Sequence, residues 1–139
     1  MCFHFVDYSS TYFNTIAKEP PPKKRSGKFV QIINHSTDDE YLVLSPKELS
    51  VYHANIVERF FSLNGNIPGS YNAKKDYFNI YDPDWEVIGG GLWVTDEENK
   101  TITLNGESKM YGKFDGSGLK KKIATVDGMA LYAVIVNGK

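Results

Sequence analysis

The sequence predicts a single α+β domain, a mixed β-sheet of about six strands flanked by two helices. Six short runs rich in β-branched and aromatic residues, separated by turn residues, supply the strands. One segment carries a helix-start signal followed by apolar residues at three- and four-residue steps. The chain of 139 residues, 41% apolar and 14% aromatic, suffices for one core and lies outside the composition of disordered chains. No repeat period of about 20 to 50 residues is present, which excludes solenoids.

Residues 1–27 end in Pro20-Pro21-Pro22-Lys23-Lys24-Arg25-Ser26-Gly27. Three prolines favour an extended polyproline segment, and the cations and glycine after them read as a solvated linker. The domain is therefore expected over 28–139, behind an N-terminal extension over 1–27. Phe3, Phe5, Val6, Tyr8, Tyr12 and Phe13 make that extension too aromatic for a purely disordered tail, and it is expected to add a strand or a helix to the body.

Phe29–Ile33 and Tyr41–Leu44 read as the first two strands. Ser45-Pro46-Lys47-Glu48 then has an N-cap serine, proline at the first helical position and a glutamate that closes a capping box. A helix is predicted from here, with Leu49, Tyr52, Ile56, Val57, Phe60 and Leu63 as its apolar stripe and Asn64-Gly65 as its stop. Residues 65–84 form a turn-rich, aromatic connection of a length that marks either a functional loop or an element of its own. Trp85–Ile88, Leu92–Thr95 and Thr101–Leu104 are expected as an antiparallel meander, Leu119–Ala124 as a short helix and Leu131–Val136 as the last strand.

The charge balance, 16 basic against 17 acidic residues, lacks the basic excess that holds proteins on nucleic acid. No apolar run approaches the ~20 residues of a membrane span, and the first residues lack the pattern of a secretion signal. A cytoplasmic protein with neither nucleic-acid nor membrane partners is expected. The single Cys2 excludes an internal disulfide, and no Cys pair, His-Glu-x-x-His or Gly-x-Ser-x-Gly motif is present. No metal or other cofactor is expected.

Gly89-Gly90-Gly91 follows a strand but leads into another strand, so no helix terminus stands ready for a phosphate. The glycines are expected to serve a bulge or a close backbone approach. His53 falls at about 40° on a helix wheel started at Leu49, inside the apolar stripe. Two readings of it stand open: a core histidine bonded to backbone carbonyls, or a general base or nucleophile held on a rigid helix. His4 and His35 carry no comparable geometric argument.

Tyr52-His53-Ala54-Asn55-Ile56, then Ile88-Gly89-Gly90-Gly91, then a strand pair leading to Gly106-Glu107-Ser108-Lys109-Met110-Tyr111-Gly112, resemble in that order the motifs of the protein histidine phosphatase family, also called the Janus or Janus/Ocnus family. The resemblance covers about Lys28 to Val136. It implies a metal-independent hydrolase that removes phosphate from phosphohistidine or a small phosphoramidate, and a phosphorylated protein or small phosphoramidate as partner. Carried over by position, His53 matches the catalytic histidine and Lys28 the phosphate-contacting lysine. Ser108, Lys109 and Met110 match the loop whose amides and serine hydroxyl cradle phosphate. Two family arginines are replaced, by Leu92 after the triple glycine and by Ser45 ahead of the histidine helix. Each lost guanidinium removes charge-assisted bonds of about 1.5–3 kcal/mol. A non-catalytic module that binds a phospho-ligand or peptide on the same fold is the alternative.

Overall fold

A computed structural model describes residues 2–136; the last three residues of the expected 28–139 domain lie outside the described residues. The fold is an α+β domain built on a six-stranded mixed sheet. Its strands are β1 (Phe3–Asp7), β2 (Lys24–Asn34), β3 (Asp39–Pro46), β6 (Trp85–Asp96), β7 (Thr101–Asn105) and β8 (Ala133–Val136), with β4 (Gly69–Tyr71) and β5 (Phe78–Ile80) forming a separate hairpin. The spatial order is β1-β3-β2-β6-β7-β8. The two edge pairings, β1 with β3 and β7 with β8, are parallel, and the three central ones are antiparallel. Helices are few: a short turn α1 (Ser9–Thr11) running into a wide turn at Tyr12–Ile16, then α2 (His53–Leu63) and α3 (Leu119–Ala124). None of the described helices is long and apolar enough to cross a membrane.

Side-chain alternation along the strands divides the core in two. Val30, Ile32 and Val43 face α2 and pack with Ala54, Ile56, Val57, Phe60 and Phe61. Phe29, Leu42 and Leu44 point to the other face and pack with Trp93, Leu119 and Ile123, so α3 covers that side. A buried carboxylate there is fully engaged: Glu40 accepts from Lys122 Nζ at 2.6 Å and Gln31 Nε2 at 2.7 Å, tying α3 to the sheet.

The N-terminal segment is woven into the sheet. β1 adds an edge strand beside β3, and Tyr8 and Phe13 are buried. β2 begins at Lys24, so the expected boundary between 27 and 28 falls inside a continuous strand.

Three expected elements are corrected. The helix starts at His53 instead of Ser45, because Ser45 and Pro46 stay in β3, paired with Lys28 and Gly27. The Ser45 hydroxyl bonds Ser50 Oγ at 2.7 Å and caps nothing. Asn55 instead accepts the Tyr52 N–H at 2.9 Å, closing the helix start about two turns later. Leu63, placed on the apolar stripe, is the last residue of α2 and is 67% exposed.

The second correction is that Trp85–Ile88 and Leu92–Thr95 are one strand, β6, so the meander reduces to the β6–β7 hairpin. The register slips between Gln31 and Ile32, which pair with Gly89 and Val87, leaving Ile88 as an extra residue in a bulge beside the glycines. The expectation of a bulge and close approach at the triple glycine is met: a Cβ on Gly89 would lie 2.3 Å from Lys113 O, and one on Gly90 2.6 Å from Phe29 O. Third, the last strand begins at Ala133, and Leu131 lies in a turn, 85% exposed.

Candidate functional site

A cleft of about 330 Å³ opens on the α2 side of the sheet, lined by Lys28, Tyr52, His53, Asp76, Leu92, Glu107, Ser108, Lys109 and Met110. All five residues singled out in the sequence line this one cleft, although they come from a strand, a helix and a loop. His4 and His35 do not: His4 stacks on Tyr41 and His35 bonds Glu86 at 2.8 Å.

Lys28 is set by the sheet. It pairs with Ser45 on one side and Leu92 on the other, so the three share a rung and a face. Trp93 fixes that rung from the opposite face, its Nε1 donating to Lys28 O at 3.1 Å and Ser45 O at 3.0 Å. Gly27 has no room for a side chain, since a Cβ would stand 2.0 Å from Ser45 O. The two positions where arginine was expected by resemblance therefore flank Lys28 directly. Ser45 is fully buried, whereas Leu92 is 44% exposed at the cleft.

His53 is the first residue of α2 and is 8% exposed. Its Nε2 lies 3.0 Å from Gly91 O. A carbonyl only accepts, so Nε2 carries the proton and the lone pair of the neutral ring is on Nδ1. Among the described residues Nδ1 has no hydrogen-bond partner. Gly90 provides the space for the ring: a Cβ there would meet His53 Cδ2 at 2.9 Å. Burial pushes the imidazole below its ordinary value of 6.5, the bond to Gly91 opposes this, and the charge of Lys28 adds to the lowering. The ring is accordingly neutral at pH 7, with a free basic nitrogen.

The loop after β7 is a tight turn. Ser108 N–H donates to Gly112 O at 3.0 Å, Gly112 N–H returns to Ser108 O at 2.8 Å, and Gly90 N–H also donates to Gly112 O, at 3.1 Å. The loop is thereby stitched to the triple-glycine strand beside His53. Ser108 Oγ accepts the Tyr111 N–H at 3.1 Å and keeps its own proton to donate. This corrects one detail of the expectation. The Ser108 amide is spent within the loop, leaving Lys109 and Met110 as the amides open to a ligand.

Tyr111 clasps the loop to the β4–β5 hairpin, accepting from Phe78 N at 2.8 Å and donating to Phe78 O at 3.0 Å, while its ring stacks on Tyr77 at 4.8 Å. Burial pushes this phenol up, so it stays protonated and keeps donating. The long 65–84 connection thus carries its own hairpin and braces the loop. Its aromatic side chains do not line the cleft; Asp76 does. Asp76, Glu107 and Tyr52 are cleft residues that the sequence reading missed. The only signal for Asp76 was the unexplained length of that connection.

The assembly can hold a tetrahedral anion. The residues that line the cleft carry an ammonium, a hydroxyl and two unspent amides, together with a neutral imidazole at the amino end of an 11-residue helix. The model of the Janus/Ocnus family matches residues 24–127, opening on the first residue of β2 and closing after α3, with β1 and β8 outside. No curated protein matches the chain.

Proposed function

The chain belongs to the Janus/Ocnus family, and on that premise we propose that it is a metal-independent phosphatase-like enzyme hydrolysing phosphohistidine or a small phosphoramidate, with His53 as general base or nucleophile. The observation that carries the reading is the Nε2 bond to Gly91 O, which leaves a basic Nδ1 in a cleft that also presents Lys28, Ser108 and the Lys109 and Met110 amides.

Lys28 and the loop donors neutralise the equatorial phosphoryl oxygens as charge shifts toward the leaving nitrogen. As nucleophile, Nδ1 attacks phosphorus, the P–N bond breaks and the departing nitrogen takes a proton from solvent; water then attacks the phosphorylated His53 and releases phosphate. As base, Nδ1 takes a proton from the water attacking phosphorus and passes it to the leaving nitrogen. Both routes need the neutral ring.

His53→Ala should lower the hydrolysis of a phosphohistidine peptide by at least about 100-fold. Stability should fall by only about 1–2 kcal/mol, the cost of leaving Gly91 O without its donor. Retained turnover in a folded variant refutes the reading. One observation favours the second reading, a phospho-ligand or peptide binding module: none of the residues lining the cleft is an arginine. It predicts phosphate or peptide binding without turnover, which calorimetry beside a turnover assay separates.

A further inference from the structure

The cleft carries more charge than a phosphoryl group uses. Lys28 and Lys109 supply two ammonium groups, and Asp76 and Glu107 supply two carboxylates. Among the described residues none of the four is ion-paired, although ion pairs are formed elsewhere on the surface. With Leu92 and Ser45 beside Lys28, no guanidinium tips the balance.

Asp76 is held for this position. Asn72 Oδ1 accepts from the backbone N–H groups of Asp76 and Tyr77, at 3.1 and 3.2 Å, and Asn72 Nδ2 donates to Asp76 Oδ1 at 2.8 Å. One carboxylate oxygen is oriented by Asn72, and the other has no hydrogen-bond partner among the described residues. Glu107 directly precedes Ser108, so it borders the anion donors from the loop side. Carboxylates in this place repel an acidic neighbour of the phosphoryl group and attract a cationic one.

We infer that the substrate bears an ammonium or guanidinium next to its phosphoryl group, as in a peptide whose phosphorylated residue is flanked by lysine or arginine, with Asp76 and Glu107 as the specificity-determining residues. The inference rests on the proposed phosphatase reading for its reaction but not for its charge preference. The β4–β5 hairpin thereby acquires a role: it delivers Asp76 to the cleft, while Tyr111 and Phe78 keep hairpin and loop in register.

The test compares two phosphohistidine peptides that differ only in having lysine or glutamate on both sides, assayed for turnover, and their non-hydrolysable phosphoryl-triazole counterparts, assayed for binding. Each partly exposed charge contact is worth about 2- to 5-fold, so the lysine-flanked peptide should lead by about tenfold in both assays, less at high salt. Asp76→Asn and Glu107→Gln should each reduce that ratio by about 2- to 5-fold, and Asp76→Lys should reduce it further. Circular dichroism confirms folding, and the wild-type ratio needs no variant. Turnover of both peptides at equal rates, or a ratio that survives the substitutions, overturns the inference and leaves the phosphatase reading standing. A binding preference without turnover of either peptide has the opposite meaning: the inference holds and the reaction does not. Absence of both binding and turnover overturns both.

Discussion

Replacing Gly90 by alanine tests how tightly the imidazole is held. The added Cβ would sit 2.6 Å from Phe29 O, 2.9 Å from His53 Cδ2 and 3.3 Å from His53 Nε2, where ordinary contact begins at 3.4 Å. Relief requires about 0.8 Å at Phe29 O and about 0.5 Å at the ring. Phe29 is fully buried in β2, between β3 and β6, and cannot retreat far. The contact with Phe29 O therefore stays as strain, while the ring shifts and stretches the 3.0 Å bond from Nε2 to Gly91 O. Overpacking of this kind costs about 1–3 kcal/mol of stability. A misplacement approaching 1 Å costs up to about 100-fold in turnover. Urea unfolding measures the first and hydrolysis of a phosphohistidine peptide the second. A Gly90→Ala protein with wild-type stability and wild-type turnover would refute the reasoning, because it would mean that the ring does not depend on the space at position 90.

Leu92→Arg restores a guanidinium on the Lys28 rung; charge-assisted bonds to phosphate, discounted to the low end because the site is 44% exposed, are worth about 1.5 kcal/mol, so calorimetry should show inorganic phosphate binding about tenfold more tightly. Unchanged affinity would show that side chains at 92 do not reach the anion. Turnover should rise with pH along a limb centred below 6.5 and then level off, since burial and Lys28 lower the His53 value; a limb centred above 6.5 contradicts this. Stability follows the same group. The unfolded chain takes up the proton near 6.5 and the folded ring resists it, so the stabilisation is complete above 6.5 and is lost as pH falls toward the lowered folded value. The difference between wild type and His53→Ala, followed by thermal unfolding, should shrink over that window. A difference that is constant with pH would contradict it.

The sequence made the sheet legible because strand residues are also core residues: Phe29–Ile33 and Thr101–Leu104 show their burial as runs of β-branched and aromatic side chains. It misled at Ser45-Pro46-Lys47-Glu48, where the local capping chemistry is sound but the backbone donors and acceptors are claimed by pairing with β2 across the chain. Long-range pairing also hid the continuity of β6, since three glycines look like a break and instead permit the contacts of Lys113, Phe29 and His53. The edge strand β1 rests on its parallel partner β3, which no local pattern announces.

For the site, His53 was legible because its apolar wheel position survives even though the helix starts later, and Lys28 and Ser108–Met110 because of their motifs. Asp76 was not, since a single acidic residue in a loop takes its meaning from the Asn72 bonds and the Tyr111 clasp that bring it to the cleft. The loss of the Ser108 amide as a free donor was equally invisible, being a property of the turn's hydrogen bonds rather than of residue type.

The central claim is that His53 presents a neutral, basic Nδ1 to a bound phosphoryl group. Long-range proton–nitrogen NMR of the imidazole ring, recorded at pH 7 while inorganic phosphate is titrated in, tests it most directly. The account predicts a ring protonated on Nε2 alone, with an Nδ1 resonance that moves saturably with phosphate. A ring protonated on Nδ1, or an Nδ1 signal indifferent to phosphate, would contradict it.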